Sequence, residues 1–186
     1  IYAFRRDLIG PALRRVTPNN AQSEYYLTDV VAVLADMGHQ VGAVVADAPE
    51  TQGVNDRWQL ALAERELRSR TNRHWLLNGV TMFDPRQTFI DVAVQIERDV
   101  TLYPGTMLQG ETRIGSGCQI GPNTRLNNCV VGSNTTIEST SAVNSQIGDN
   151  AKVGPFAHLS SGSRVADSQT TGAFYDSETA PNASKY

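Results

Sequence analysis

Residues 108–126 read Leu108-Gln109-Gly110-Glu111-Thr112-Arg113-Ile114-Gly115-Ser116-Gly117-Cys118-Gln119-Ile120-Gly121-Pro122-Asn123-Thr124-Arg125-Leu126. Large aliphatic residues recur at every sixth position: Leu108, Ile114, Ile120 and Leu126. A small or β-branched residue stands four places after each of the first three: Thr112, Cys118 and Thr124. This is neither the 3.6-residue period of a helix nor the two-residue period of an isolated strand. Self-similarity at a fixed short period signals a solenoid. Each hexad supplies one flat face and a corner, and three faces close a triangular coil. The aliphatic anchor points inward and stacks on the anchors above and below. Glycine and small polar residues make the tight corners.

The pattern extends both ways. Upstream anchors are Ile90, Ile96 and Leu102, with Val94, Val100 and Thr106 at the small position. Downstream, Val130 takes the small position, and the phase slips after Leu126 to resume at Val131 and Ile137. It slips again after Val143 and runs through Ile147, Val153, Leu159 and Val165. About four to five coils fit, and none is stable alone because each needs its neighbours. The next anchors would be Thr171 and Ser177, neither apolar, so the repeat reads as interrupted there. The polar stretch Tyr175–Tyr186 reads as a disordered end. Cys118 and Cys129 have no His or Cys at ligand spacing, which leaves structural roles and a reducing compartment.

The first 78 residues differ in character. Ile1–Phe4 and Gln40–Ala46 read as strands. A helix is predicted over Gln22–Met37, with Tyr26, Val30, Val33, Leu34 and Met37 on one face and Gly38 as its stop. A second helix is predicted over Asn55–Arg73 on a Leu60, Ala63, Leu67 stripe. Strand–helix alternation suggests the edge of an α/β sheet. The chain lacks an initiator Met, and its first residues read as the middle of something longer. A net charge of −3 argues against nucleic-acid or membrane-surface binding. No apolar run is long enough to span a bilayer.

Four ordered segments carry a resemblance. They are Asn19-Asn20-Ala21-Gln22-Ser23-Glu24-Tyr25-Tyr26-Leu27-Thr28-Asp29, Gly53-Val54-Asn55-Asp56-Arg57-Trp58-Gln59-Leu60, Gly79-Val80-Thr81-Met82-Phe83-Asp84-Pro85, and the hexads bearing Ile147-Gly148 and Val153-Gly154-Pro155-Phe156. Together, from Tyr2 to Phe174, they resemble the bifunctional N-acetylglucosamine-1-phosphate uridylyltransferase / glucosamine-1-phosphate N-acetyltransferase family. The resemblance implies an α/β fragment of a Rossmann-like nucleotidyltransferase domain followed by a left-handed parallel β-helix. The implied divisions are 1–54 for the end of the first domain, 55–78 for a connecting helix and linker, 79–170 for the β-helix and 171–186 for the tail. It also implies a cytoplasmic homotrimer that joins UTP to N-acetylglucosamine 1-phosphate with Mg²⁺ and acetylates glucosamine 1-phosphate with acetyl-CoA.

Carried over by motif, Asn55 is the expected ligand of Mg²⁺ and the sugar nucleotide. An amide oxygen suits a hard cation, although Asn is also a good helix N-cap. Glu24, Tyr26 and Thr28 fall near the family's sugar pocket, where packing of a helix start explains them as well. No catalytic residue is assigned. Ser160-Ser161-Gly162 stands where the family has Arg-Pro-Gly, and Ser160 cannot make arginine's bidentate phosphate contact. Glu178 stands where the family has a lysine. His158 is expected to face outward, and His39 and His74 to be structural or solvated. The expectation is that this chain by itself catalyses neither reaction. The competing readings are a non-catalytic oligomerising scaffold, another sugar-phosphate nucleotidyltransferase with a β-helix appendage, and a stand-alone hexapeptide acyltransferase.

Overall fold

The structure is a computed structural model and describes residues 1–179. It divides into two compact units, Ile1–Gly53 and Val54–Tyr186.

In the first unit, α1 (Arg6–Leu13) and α2 (Asp29–Asp36) pack on each other, and a four-residue turn of helix, α3 (Ala48–Thr51), lies near the end. Their shared core is small: Ala12, Val16, Val30 and Leu34, flanked by Phe4, Leu8 and Val33. Both expected strands are absent. Ile1–Phe4 leads into α1, and Gln40–Ala46 is irregular with Val44 and Val45 almost fully exposed. A strand needs a neighbour to take its N–H and C=O groups, and the described residues of this unit supply no ladder. The helix expected from Gln22 begins only at Asp29. Asn20 is the reason: its Oδ1 accepts N–H bonds from Gln22 (3.1 Å) and Glu24 (3.2 Å). Side-chain bonds of this kind compete with the helix, and Ser23 sits at φ 55. Gly38, at φ 83, ends α2 as expected.

The second unit is a parallel β-solenoid. Among the described residues, fifteen short strands, from β1 (Thr81–Met82) to β15 (Arg164–Val165), form three five-stranded sheets. Sheet A is β1-β4-β7-β10-β13, sheet B is β2-β5-β8-β11-β14, and sheet C is β3-β6-β9-β12-β15. Every strand therefore pairs with the one three places on, and the chain climbs one rung per coil. The registers align anchors with anchors: Leu102 with Ile120, Leu108 with Leu126, and Ile96 with Ile114. Backbone bonds join the rungs, as in Thr101 N–H to Cys118 O (2.8 Å) and Tyr103 N–H to Ile120 O (2.9 Å). The inward anchors form one continuous core.

Three details differ from the periodic reading. Ala142, fully buried, is the inward residue of β11 (Ser141–Val143), whereas Val143 is half-exposed. Cys129, not Val130, fills the small inward corner position; Val130 points out. One shortened corner moves the phase by a residue and swaps which neighbour faces the axis, as a period-two strand must. Finally, the coil does not stop at Val165. Bridges join Lys152 to Thr170 and His158 to Asp176, and Ser177 is buried at the inward position. A serine can stand there because its Oγ accepts the Ser160 N–H (2.9 Å). The rest of the expected disordered tail, residues 180–186, lies outside the described residues.

The corners are built from two recurring devices. Threonine hydroxyls bond corner carbonyls: Thr106 Oγ1 donates to Tyr103 O (2.7 Å), and Thr135 Oγ1 to Gly148 O (2.7 Å). Left-handed backbone falls on glycine or asparagine, as at Gly105 (φ 78) and Asn123 (φ 50) one coil apart. Asparagine tolerates this region better than other L-residues. At Gly105 a side chain would also collide with the Asn123 amide stacked on it.

The connecting helix, α4 (Arg57–Leu77), is longer than expected and acts as a lid. It packs on β2 (Phe89–Ile90) and the 3-10 turn η1 (Pro85–Gln87) of the first coil. The expected stripe is not its packing face, since Leu60 and Leu67 are exposed. The contacts come from Arg68, whose guanidinium lies 4.5 Å from the Phe89 ring centroid, from buried Asn72 and from Trp75. Asn72 Nδ2 donates to Pro85 O (2.7 Å) and Thr88 O (2.9 Å), satisfying carbonyls that the first coil would otherwise leave bare.

Leu108 buried in the axis and Gln95 on an outer face give a direct check. Leu108→Ala is expected to destabilise by about 3 kcal/mol through lost packing and a residual cavity. Gln95→Ala is expected to change stability by under about 0.5 kcal/mol. Urea unfolding midpoints of the two variants measure the difference.

Candidate functional site

The residues carried over by motif fall in different units. Glu24, Tyr26 and Thr28 belong to the first unit and Asn55 to the second.

Glu24 and Thr28 are exposed and Tyr26 is half-buried. Glu24 closes the loop that Asn20 organises, since Asn20 Nδ2 also donates to the Glu24 carbonyl (2.5 Å), and Tyr26 and Thr28 follow it, with Tyr26 OH donating to Gln22 Oε1 (2.9 Å). Thr28 precedes α2 without making a side-chain cap bond. Asn20 is the residue that shapes this segment. Its signal in the sequence was its type, since Asn commonly bonds nearby backbone.

Asn55 is exposed and lies two residues before α4. The helix cap is its neighbour. Asp56 Oδ1 accepts the Gln59 N–H (2.7 Å), and Gln59 Oε1 in return accepts the Asn55 N–H (2.7 Å). This reciprocal pair satisfies two N–H groups at the helix start, much as a capping box does. The Asn55 side-chain amide is thereby relieved of capping and makes no hydrogen bond among the described residues. It is a single neutral oxygen donor, and the adjacent carboxylate is occupied. No group of three or more His, Cys, Asp or Glu side chains is placed to hold a metal among the described residues. The residues present therefore do not by themselves form a Mg²⁺ shell.

Ser160, which stands where the resemblance implies an arginine, meets two further serines. Ser160, Ser163 and Ser177 form a half-buried hydroxyl cluster in the last coil. Ser160 Oγ lies 3.0 Å from Ser177 Oγ, and Ser163 Oγ, which donates to Ser160 O (2.5 Å), also lies 2.8 Å from Ser177 Oγ. Glu178 follows directly and is exposed, its N–H bonded to Asp176 Oδ1 (2.9 Å). The cluster is electrically neutral with carboxylates beside it. His158 projects outward from β14 (His158–Leu159), as expected. His74 is exposed, edge-on to Trp75, and His39 is half-buried. Among the described residues no hydrogen bond joins a histidine to a serine or cysteine.

Both cysteines are fully buried in the solenoid. Cys118 Sγ donates to Gly132 O (2.9 Å) and Cys129 Sγ to Asn127 O (3.4 Å). Burial pushes both thiols up from their ordinary pKa, which disfavours the reactive thiolate.

The comparisons with known proteins fit this geometry. The family model described as GMPPB C-terminal domain matches residues 90–173, the solenoid itself. The bifunctional protein GlmU of Geobacillus sp. is 44% identical over 176 residues, 94% of this chain. Over that stretch, the chain belongs to the GlmU family. The GlmU protein of Caldanaerobacter subterraneus subsp. tengcongensis is 47% identical over 80% of the chain, and that of Streptomyces avermitilis 42% identical over 97%. The chain spans only 32%, 38% and 38% of the Caldanaerobacter, Geobacillus and Streptomyces proteins respectively. Among solved structures, a mutant GDP-perosamine N-acetyl transferase from Caulobacter crescentus, in complex with CoA and GDP-perosamine, covers 75% of the chain and 85% of its own, at 16% identity and TM-score 0.40. At that score the likeness is loose and adds nothing to the family match. No helix among the described residues is long and apolar enough to cross a membrane.

The two readings of the Asn55 region separate by mutation. Asp56→Ala is expected to cost about 1 kcal/mol by removing the cap. Asn55→Ala should leave stability within about 0.5 kcal/mol. Thermal unfolding of both variants, followed by circular dichroism, measures this. For the thiols, both cysteines are expected to resist iodoacetamide in the folded chain at pH 8 and to react once it is unfolded, as mass spectrometry would show.

Proposed function

We propose that this chain works as part of a GlmU-type enzyme that makes UDP-N-acetylglucosamine. The solenoid belongs to the half that moves an acetyl group from acetyl-CoA to glucosamine 1-phosphate. The first unit and the start of α4 belong to the half that joins UTP to N-acetylglucosamine 1-phosphate, where Mg²⁺ is the family's cofactor. Asn55, with its free amide, is the residue assigned to substrate and metal there, and Glu24, Tyr26 and Thr28 are the residues near the sugar. A cytoplasmic homotrimer with a left-handed coil, assembled through the solenoid, completes the reading. The observation that carries it is identity above 40% to GlmU relatives across nearly the whole chain.

The chain by itself is proposed to be catalytically silent. A phosphate-bearing acceptor needs a cation, and the place where one is expected holds Ser160 and Glu178. Acetyl transfer also calls for a base to take up the acceptor's proton. Among the described residues, His158 contacts no nucleophile. These same features favour a second reading, in which the well-packed solenoid serves as a non-catalytic assembly element.

The purified chain, mixed with acetyl-CoA and glucosamine 1-phosphate, is expected to release free thiol no faster than buffer. With UTP, N-acetylglucosamine 1-phosphate and Mg²⁺ it should release no pyrophosphate above background. Turnover in either assay would overturn the silent reading. Analytical ultracentrifugation distinguishes a trimer from a monomer in the same sample.

A further inference from the structure

Basic side chains on the strands of the solenoid all point outward, while its carboxylates sit at the corners, where Arg86 and Arg98 also lie. Arg113, Arg125, Lys152, His158 and Arg164 occupy outward strand positions, and no outward strand position among the described residues is Asp or Glu. Carboxylates sit at the corners and bond the neighbouring coil. Asp91 accepts the Gly110 N–H (2.9 Å), Glu97 that of Ser116 (3.0 Å), Asp149 that of Ser133 (2.7 Å) and Asp167 that of Asp149 (2.9 Å).

On sheet C the outward ladder runs Gln95, Arg113, Val130, Gln146, Arg164. Its last rungs border a cleft of about 590 Å³. Gln146, Arg164, Asp167 and Gln169 line it, over a floor that includes Gly132 and Gly148. Those glycines are dictated by the stack: a Cβ at Gly132 would run into Asp149, and one at Gly148 into Asp167. The floor is bare because the next coil lies too close for a side chain. Arg164 is exposed and forms no ion pair among the described residues, so its guanidinium donors are unclaimed. Gln169 Oε1 accepts the Ala166 N–H (2.8 Å), which leaves its amide nitrogen as a donor.

We propose that this cleft binds a phosphate-type oxyanion, as free phosphate or pyrophosphate or as the phosphate group of a nucleotide. A planar guanidinium binds such a group through paired hydrogen bonds, and amide donors complete the contact. Asp167 stands on the rim as a like charge and holds the affinity down. The proposal does not depend on which reaction the family half-sites perform.

The test is titration of the full chain with pyrophosphate and with ADP at low ionic strength, followed by amide shifts in ¹H–¹⁵N NMR. Saturable shifts at Gly132, Gly148 and Gln169 are expected. Arg164→Gln should weaken binding by roughly 10-fold or more, as loss of a charge-assisted pair implies. Asp167→Asn keeps the oxygen that accepts the Asp149 N–H and should tighten binding. Arg113→Gln, on the same ladder but outside the cleft, should leave it unchanged. Tighter binding of ADP than of pyrophosphate would name a nucleotide as the ligand, and equal binding the free oxyanion. The proposal fails if shifts never saturate, if Arg164→Gln binds as the parent does, or if Arg113→Gln loses as much as Arg164→Gln.

Discussion

The structure depends on one constraint: each strand sends a single side chain into a narrow triangular axis, and that side chain must meet the ones directly above and below it. Leu102 on Ile120, Leu108 on Leu126 and Ile96 on Ile114 are instances of this contact. Each fully buried aliphatic residue contributes about 1.5–3 kcal/mol by leaving water, and the parallel backbone bonds hold the registers that make the stacking possible. Neither works without the other. A coil whose anchors slipped by one residue would put its polar neighbours in the axis.

Two secondary demands follow from that geometry. The corners must turn without leaving carbonyls bare, which the threonine hydroxyls and the Gly105–Asn123 type of pairing provide. The open first coil must be covered. Helix α4 does this with Asn72 bonding two carbonyls of the first coil and with Arg68 lying over Phe89. Asn72 Oδ1 itself is buried without a hydrogen-bond partner among the described residues, so Asn72 ties the lid down through its donor nitrogen alone.

The same geometry shapes the chemistry. Stacked coils confine chemically distinctive side chains to faces and corners, because the axis accepts only residues that pack or that satisfy their own hydroxyls. Ser160, Ser163 and Ser177 are the inward case, engaged with one another. Arg164 is the outward case, with its donors unclaimed among the described residues. The placement of carboxylates at corners has a local cause, since they accept N–H bonds that the turns expose.

The solenoid was legible from residues alone because its signal is a strict period enforced by burial. Leu108, Ile114, Ile120 and Leu126 each had to repeat for the axis to close. The four ordered motifs likewise carried the family. The helices and would-be strands of the first unit were less legible. Local preference there competes with side-chain bonds such as those of Asn20, and the apolar run at Gln40–Ala46 finds no partner strand within the unit. Candidate residues could be named by motif, but the sequence could not show that Asp56 rather than Asn55 caps α4. Nor could it show that Ser160 and Ser177 touch, or that Cys129 rather than Val130 faces inward. Those outcomes turn on how one shortened corner shifts register and on which residues meet across coils. Spacing along the chain specifies the coil, whereas contact between coils is decided only when the rungs are stacked.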